Sequence, residues 1–140
     1  MEVTLEMART AIRAALDAGA EKGFRPLTAI VLDAGGHIVA FERSDGSAPG
    51  RFAIAHGKAY GAVMLGMPGS AQMKRAEDQH YFMTAMNGAF GGAVVPVPGG
   101  ILIKDGDRVI GALGVTGDTS DNDVIAGLQG LEAAGLTGAA

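Results

Sequence analysis

The sequence contains no cysteine and no tryptophan, and only 5% of its residues are aromatic. Without cysteine there can be no disulfide, no thiolate nucleophile, no cysteine-bound iron–sulfur cluster and no cysteine-ligated zinc. Such a composition is typical of a reducing compartment, and we expect a cytoplasmic location. With few aromatic side chains, the core has to be built from Ala, Val, Ile, Leu and Met, which bury less area per residue.

Long apolar runs and clusters of basic residues are also missing. No apolar stretch approaches the roughly 20 residues that span a bilayer. The first residues are acidic rather than basic, which disfavours a secretory signal. The formal net charge is −4 and no run of Lys or Arg occurs, which disfavours non-specific nucleic-acid binding. We therefore expect neither a membrane nor a nucleic acid as partner.

The composition that remains is that of a folded domain. The chain has 140 residues, of which 48% are hydrophobic and 19% charged, so residues 1–140 are expected to form one domain with a core of its own. Its 23 glycines punctuate apolar segments and do not form a repeat. Because small residues bury little surface, we expect further burial in a homo-oligomer, a dimer or larger.

Four segments show the apolar spacing of helices: residues 5–22, 51–65, 71–87 and a short stretch from Val124 to Leu131. Thr4 is a suitable N-cap for the first helix and Gly23 a suitable stop, and Gly135 should end the last one. The helix 51–65 is apolar almost all round. That pattern is typical of a helix buried in a core or in a subunit contact.

Two hairpins are predicted between the helices. "LTAIVLD" and "HIVAFER" are joined by "DAGG", and "GILIKDGDRVIGALGV" turns at Asp105-Gly106. Gly111 and Gly114 interrupt the last strand and indicate a bulge or the close approach of another backbone or a ligand. The order α-β-β-α-α-β-β-α predicts an α+β domain in which helices pack on an antiparallel sheet.

The stretch "GVTGDTSDND", residues 114–123, concentrates three aspartates before the last helix. No register of it fits a calcium loop of the EF-hand type, which needs Gly at the sixth position and Glu at the twelfth. Ser120 and Asp123 instead have the spacing of a capping box, and Asp121 and Asp123 would lie in the first turn, where the helix dipole favours negative charge. We predict a cap and no metal site; a ligand role for this stretch stays open beside it.

His37, His56 and His80 are the only histidines, and their spacing matches no zinc motif. His56 lies in an apolar helix, where a buried, hydrogen-bonded ring and a functional ring are both reasonable. Lys58 is in the same helix without a polar face to share. It either extends along the surface to reach solvent or faces a polar pocket.

Two loops complete the candidate residues. Arg43 and Asp45 follow the second strand in "ERSDG", which is a surface turn or part of a pocket. Gly99 and Gly100 close "PVPGG", a stiff turn whose free N–H groups can hold an anion. A phosphate loop, a dinucleotide-binding fingerprint, a hydrolase nucleophile elbow and a c-type haem attachment motif are all missing.

Three longer stretches carry a resemblance: "VLDAGGHIVAFERSDGS", "IAHGKAYGAV" and "PVPGGILIKDGDRVIGALGVTGDTSDND". In this order they resemble the GlcG/HbpS family of haem-degrading domains, which also occurs as the C-terminal domain of PduO-type corrinoid adenosyltransferases. The resemblance covers nearly the whole chain and implies a profilin-like α+β fold and homo-oligomers. The positions that match its recurrent residues are Arg43, Asp45, Lys58, Gly99, Gly100 and Gly117.

Two functions are compatible with this resemblance. In the first, the protein binds haem or a related tetrapyrrole, with axial ligands offered by its methionines and by Tyr60, Tyr81, His56 and His80. In the second, it is a catabolic enzyme or accessory protein for a hydroxy acid or aromatic acid held by Arg43 and Lys58. A purely structural subunit is a third possibility, and whether the protein is catalytic stays open. In either of the first two, we expect Arg43, Lys58 and Gly99-Gly100 to meet at one concavity that attracts an anion.

Overall fold

The computed structural model describes all of residues 1–140 and contains a five-stranded antiparallel sheet with five helices. The elements are α1 Leu5–Glu21, β1 Thr28–Asp33, β2 Ile38–Arg43, α2 Arg51–Leu65, α3 Gly69–Asp78, α4 His80–Ala89, β3 Gly100–Asp105, β4 Arg108–Thr116, α5 Ser120–Ala133 and β5 Thr137–Ala139. The strand order across the sheet is β2-β1-β4-β3-β5. The predicted α+β class and the antiparallel sheet are confirmed.

The helices cover the two faces of the sheet in two layers. Helices α1 and α5 pack on each other and on one face, where Ala29 and Val31 of β1 join the larger core cluster. Helix α2 covers the other face, where Ile30 and Leu32 meet its alanines. Alternate residues of β1 therefore face opposite layers, as strand geometry requires.

Helix α2 lies close to the sheet because glycines let the backbones approach. A Cβ at Gly114 would collide with the carbonyl oxygen of Ala55, and one at Gly100 with that of Lys58. The close backbone approach predicted for Gly111 and Gly114 is thus found, since Gly111 in turn lies against the Leu32 carbonyl, and the pairing of β3 with β4 also shifts register beside Gly111. A small-residue face on α2 is what makes this short distance possible.

The prediction of one helix over residues 71–87 is wrong. Gln79 has φ −142° and ψ 62°, outside the helical region, and it separates α3 from α4. The break turns Met83 and Met86 onto Val94, while Met73 stays exposed. The apolar residues of this stretch therefore belong to two helices with different orientations.

Two smaller predictions also need correction. The second hairpin turns at Gly106 and Asp107 rather than at Asp105-Gly106, since Asp105 pairs with Arg108 and Gly106 has φ +60°. The strand β5 was not predicted. It has three residues and pairs with β3, and "TGA" is too short to show an alternating pattern. None of the five helices has the length and hydrophobicity needed to cross a membrane.

Candidate functional site

The aspartate-rich stretch caps α5 one residue earlier than predicted. Thr119 is the N-cap, and its hydroxyl accepts a hydrogen bond from the N–H of Asn122 at 3.2 Å. Ser120 is the first helical residue, so the predicted capping box of Ser120 and Asp123 is wrong. Asp123 is in the first turn as expected, but its side chain points into the protein.

Asp123 forms a buried ion pair with Lys58. The two side chains are 1% and 3% exposed, and Lys58 Nζ donates to Asp123 Oδ2 at 3.0 Å. Nζ also donates to the Val115 carbonyl at 3.0 Å, and Asp123 Oδ1 accepts from the N–H of Asp118 at 3.0 Å. Burial lowers the pKa of Lys58 and raises that of Asp123, and the contact between them opposes both shifts.

Gly99 and Gly100 make room for Lys58. A Cβ on Gly99, which has φ +115°, would lie 2.8 Å from Lys58 Nζ, and the Gly99 carbonyl accepts from the N–H of Val115. The turn that was predicted to hold an anion thus packs against a lysine of the protein itself. Gly117, with φ +141°, similarly lies against the Pro26 carbonyl.

Asp118 fixes the loop between β4 and α5. Its carboxylate accepts from the N–H of Arg25 at 2.8 Å, from Asn122 Nδ2 at 2.7 Å and from the N–H of Thr119 at 2.9 Å. These bonds, the one from Arg25 first, lower the pKa of Asp118 to about 2. The carboxylate therefore stays ionised at neutral pH as an anchor of the loop.

Arg43 and Asp45 are exposed at the end of β2. They line a shallow groove of about 280 Å³ against α1, beside Arg13 and Asp17. Lys58 lines no cavity of the protein. The structure thus brings Lys58, Gly99 and Gly100 together, and Arg43 with Asp45, but it does not place Lys58 and Arg43 in one cavity.

The partly exposed His56 belongs to a row of aromatic rings. The centroids of Phe41 and Phe52 are 4.9 Å apart, those of Phe52 and His56 5.9 Å, and those of His56 and Tyr60 5.4 Å. Ile38 extends the row along the edge strand β2 and is 52% exposed. We call the surface formed by Ile38, Phe41, Phe52, His56 and Tyr60 the aromatic face. Neither ring nitrogen of His56 has a hydrogen-bond partner within the chain.

Three polar side chains, those of Arg51, Thr116 and Thr28, lie at the end of the aromatic face that is nearest to Arg43. Arg51, the first residue of α2, donates from Nη1 to Thr116 Oγ1 at 2.9 Å, and Thr116 is paired with Thr28 across β4 and β1. Sequence reasoning did not select Arg51, Thr28 or Thr116. Arg51 is the first residue of a helix whose apolar pattern drew attention instead. The two threonines lie near it only because of the strand register, which a single sequence does not show.

The other two histidines lie elsewhere. His37 is exposed, and its Nδ1 is 3.2 Å from Asp33 Oδ1 in the first hairpin turn. His80 lines a cleft of about 320 Å³ with Met83 and Met86 at its base. No group of three or more histidine and carboxylate side chains is arranged to hold a metal ion.

Comparison with known proteins identifies the family. The profile described as haem degrading protein HbpS-like matches residues 3–132. The chain belongs to the HbpS-like family. No curated protein sequence gives a significant match.

Among solved structures, a double mutant of Streptomyces reticuli HbpS is 27% identical with a TM-score of 0.80, and the alignment covers 94% of this chain and 86% of that one. A PduOC:heme complex is 19% identical with a TM-score of 0.87 and 98% coverage of both chains. The Klebsiella pneumoniae protein ORFY is 20% identical with a TM-score of 0.87 and coverage of 96% and 92%. The last two similarities establish a shared fold.

Proposed function

We propose that this HbpS-like protein binds haem or a related tetrapyrrole on the aromatic face. The observation that carries the proposal is the continuous row of rings with an imidazole at its centre. A porphyrin is a flat, apolar aromatic body, and such a body packs well against aromatic side chains. The family description and the fold shared with a PduOC:heme complex support the same class of ligand.

His56 is the residue that we propose as the iron ligand. Its ring lies between those of Phe52 and Tyr60, and its nitrogens are not used by any other residue of the chain. Histidine is a common axial ligand of haem iron. When bound, haem would supply the redox chemistry. The chain supplies the imidazole and an apolar surface that keeps water from one side of the ring.

The alternative site is the cleft that contains His80, Met83 and Met86. Both methionines are nearly buried and pack with Val94 as part of a small apolar cluster. Their role in packing explains them without a ligand, whereas Phe41 and Phe52 of the aromatic face are exposed within the chain. This difference favours His56 and makes His80 a matched control.

The experiment is a titration of the purified protein with hemin, followed by the Soret band. We expect a shifted band with saturable binding for the wild type, a weaker and differently shifted band for His56→Ala, and wild-type behaviour for His80→Ala. Phe52→Ala should also weaken binding, because it removes ring contact. Equal loss in His80→Ala and none in His56→Ala would move the site to the cleft, and no saturable binding would refute the proposal.

A further inference from the structure

We infer that the first turn of α2, with Arg51, Thr28 and Thr116, forms a carboxylate-binding site at one end of the aromatic face. The identity of the full ligand rests on the proposed function. The inference itself concerns the acid group that such a ligand carries. Lys58 was expected to hold this acid group but is bound to Asp123, so the proposed cation of the site is Arg51.

The strand register places Thr28 and Thr116 side by side. Thr28 of β1 is paired with Arg43 of β2 on one side and with Thr116 of β4 on the other. Residues opposite each other in antiparallel strands project to the same face of a sheet. Ile30 lies two residues beyond Thr28 and packs under α2, so the two threonines face α2 as well.

The hydroxyl of Thr28 is the unexplained group in this pair. It is fully buried and has no hydrogen-bond partner, whereas that of its neighbour Thr116 accepts from Arg51. A buried polar group without a partner is unfavourable in the unliganded protein. Thr28 is fully buried, so a neighbouring side chain has to move before a ligand reaches its hydroxyl, and we assign this movement to Arg51, which is bound to the adjacent Thr116. A carboxylate could then accept from the guanidinium and from both hydroxyls.

The N-terminus of α2 adds further donors. Gly50, its N-cap, has no side chain to cap the helix, and no acidic residue occupies the first turn. The N–H groups of Phe52 and Ala53 have no acceptor in the chain. Free N–H groups and the helix dipole both favour an anion here.

The carboxylates of the protein do not already fill the site. Asp123 is bound to Lys58, and Asp118 accepts from the backbone of Arg25. Glu42, next to Arg43, projects to the opposite face and pairs with Arg13 at 2.8 Å. Arg51 therefore meets no acidic side chain, which leaves a local positive charge in a protein of net charge −4.

The position of the site defines the class of ligand. Arg51 and His56 are five residues apart on α2, about 7.5 Å along the helix axis. Because five residues turn a helix by about 140° beyond one full turn, Arg51 and His56 lie on different sides of α2, and the acid group has to extend past the edge of a flat body on His56 and Tyr60 to reach Arg51. The fitting class is an aromatic or tetrapyrrole carboxylate, and an uncharged analogue of the same shape should bind less well.

The first test compares hemin with hemin dimethyl ester, in which both acid groups are blocked. For the wild type we expect hemin to bind about 10- to 150-fold more tightly than the ester, the effect of one charge-assisted contact. Arg51→Gln should weaken hemin by a similar factor and leave the ester unchanged, and the surface control Arg9→Gln should change neither. Equal affinity of hemin and ester in the wild type would overturn the inference.

Thr28→Val provides a second test that does not depend on a charge change. Because the hydroxyl has no partner in the unliganded protein, we expect the variant to have a higher melting temperature and yet a lower affinity for hemin. A purely structural threonine would change the melting temperature alone. Unchanged hemin affinity in Thr28→Val would show that its hydroxyl is not part of the site.

A third measurement separates this inference from the proposed function. If the wild type binds neither hemin nor the ester, the proposed function fails, and benzoate and benzamide become the probes. We then expect benzoate, but not benzamide, to shift the amide NMR signals of Phe52 and Ala53. The shift should be lost in Arg51→Gln. Absence of a benzoate shift would overturn the carboxylate site as well.

Discussion

At the scale of single residues, Lys58 and Asp123 are the two buried charges of the domain. Taking a charge out of water is unfavourable, and a close partner with additional hydrogen bonds compensates for it. Both requirements are met here by the 3.0 Å contact and by the bonds to Val115 and Asp118. The pair should therefore be sensitive to the loss of one member and tolerant of the loss of both.

We expect Lys58→Met to lower the free energy of unfolding by about 3–5 kcal/mol, since it leaves Asp123 buried without its cation. Asp123→Asn should cost a similar amount, and the double variant should be more stable than the sum of the two losses predicts. Denaturant unfolding of all four proteins forms a double-mutant cycle. Strictly additive losses would mean that the two charges do not stabilise each other.

The environment of Lys58 could be predicted from the sequence only in part. A lysine in an apolar helix predicted either an extended side chain at the surface or a polar pocket, and the structure shows neither, since Lys58 is buried against Asp123 and lines no cavity. Its partner could not be predicted, because Asp123 is 65 residues away and had the spacing of a capping residue. The glycines at 99 and 100 were noticed for their free N–H groups, yet they serve to leave space for the lysine.

At the scale of secondary-structure elements, two neighbouring hydroxyl residues at the start of α5, Thr119 and Ser120, have different roles. Thr119→Ala should lower the free energy of unfolding by about 0.5–2 kcal/mol, because it removes the acceptor for the N–H of Asn122. Ser120→Ala should have a much smaller effect, since Ser120 is already in the helix. Thermal or denaturant unfolding measures both. If Ser120→Ala were the more destabilising of the two, the N-cap would be Ser120 and not Thr119.

Local signals explain which elements the sequence predicted well. Helix α1 begins after Thr4 and ends before Gly23, and α2 has the predicted bounds 51–65. Both hairpins were also found, because short turns between apolar strands are local features. The break at Gln79 is marked by neither Gly nor Pro, and it accompanies the packing of Met83 and Met86 on Val94. Such a contact is not visible in a single sequence.

At the scale of the whole molecule, the sheet is open at β2. This strand lies at the edge of the sheet, and Ile38 and Phe41 on it are exposed next to Phe52 of α2. Exposed apolar edges invite pairing with another chain. A second copy of the chain at this edge would cover these side chains and close the aromatic face from outside.

We therefore expect a homo-oligomer, at least a dimer, in which β2 lies at the subunit contact. Light scattering at micromolar concentration should give a multiple of the 14.1 kDa chain mass. The double variant Ile38→Lys/Phe41→Lys should be monomeric, because two charges would then be buried without partners. Leu5→Lys, an exposed position on α1, is the control and should keep the wild-type mass. A wild-type monomer would contradict this prediction.

The distance along the chain between Lys58 and Asp123 also sets a sequence of events during synthesis. Ribosomes add roughly 5–20 residues per second, so α2 leaves the ribosome roughly 3–13 s before the residue that neutralises its lysine. Strand β4, which lies between β1 and β3 and packs under α2, is also made only in that interval. Until β4 and α5 have been made, the alanine-rich face of α2 lacks its native contacts and is open to non-native ones. Because burying an unpaired charge is unfavourable, we expect the hydrated ammonium group of Lys58 to disfavour burial of that face before Asp123 has been made.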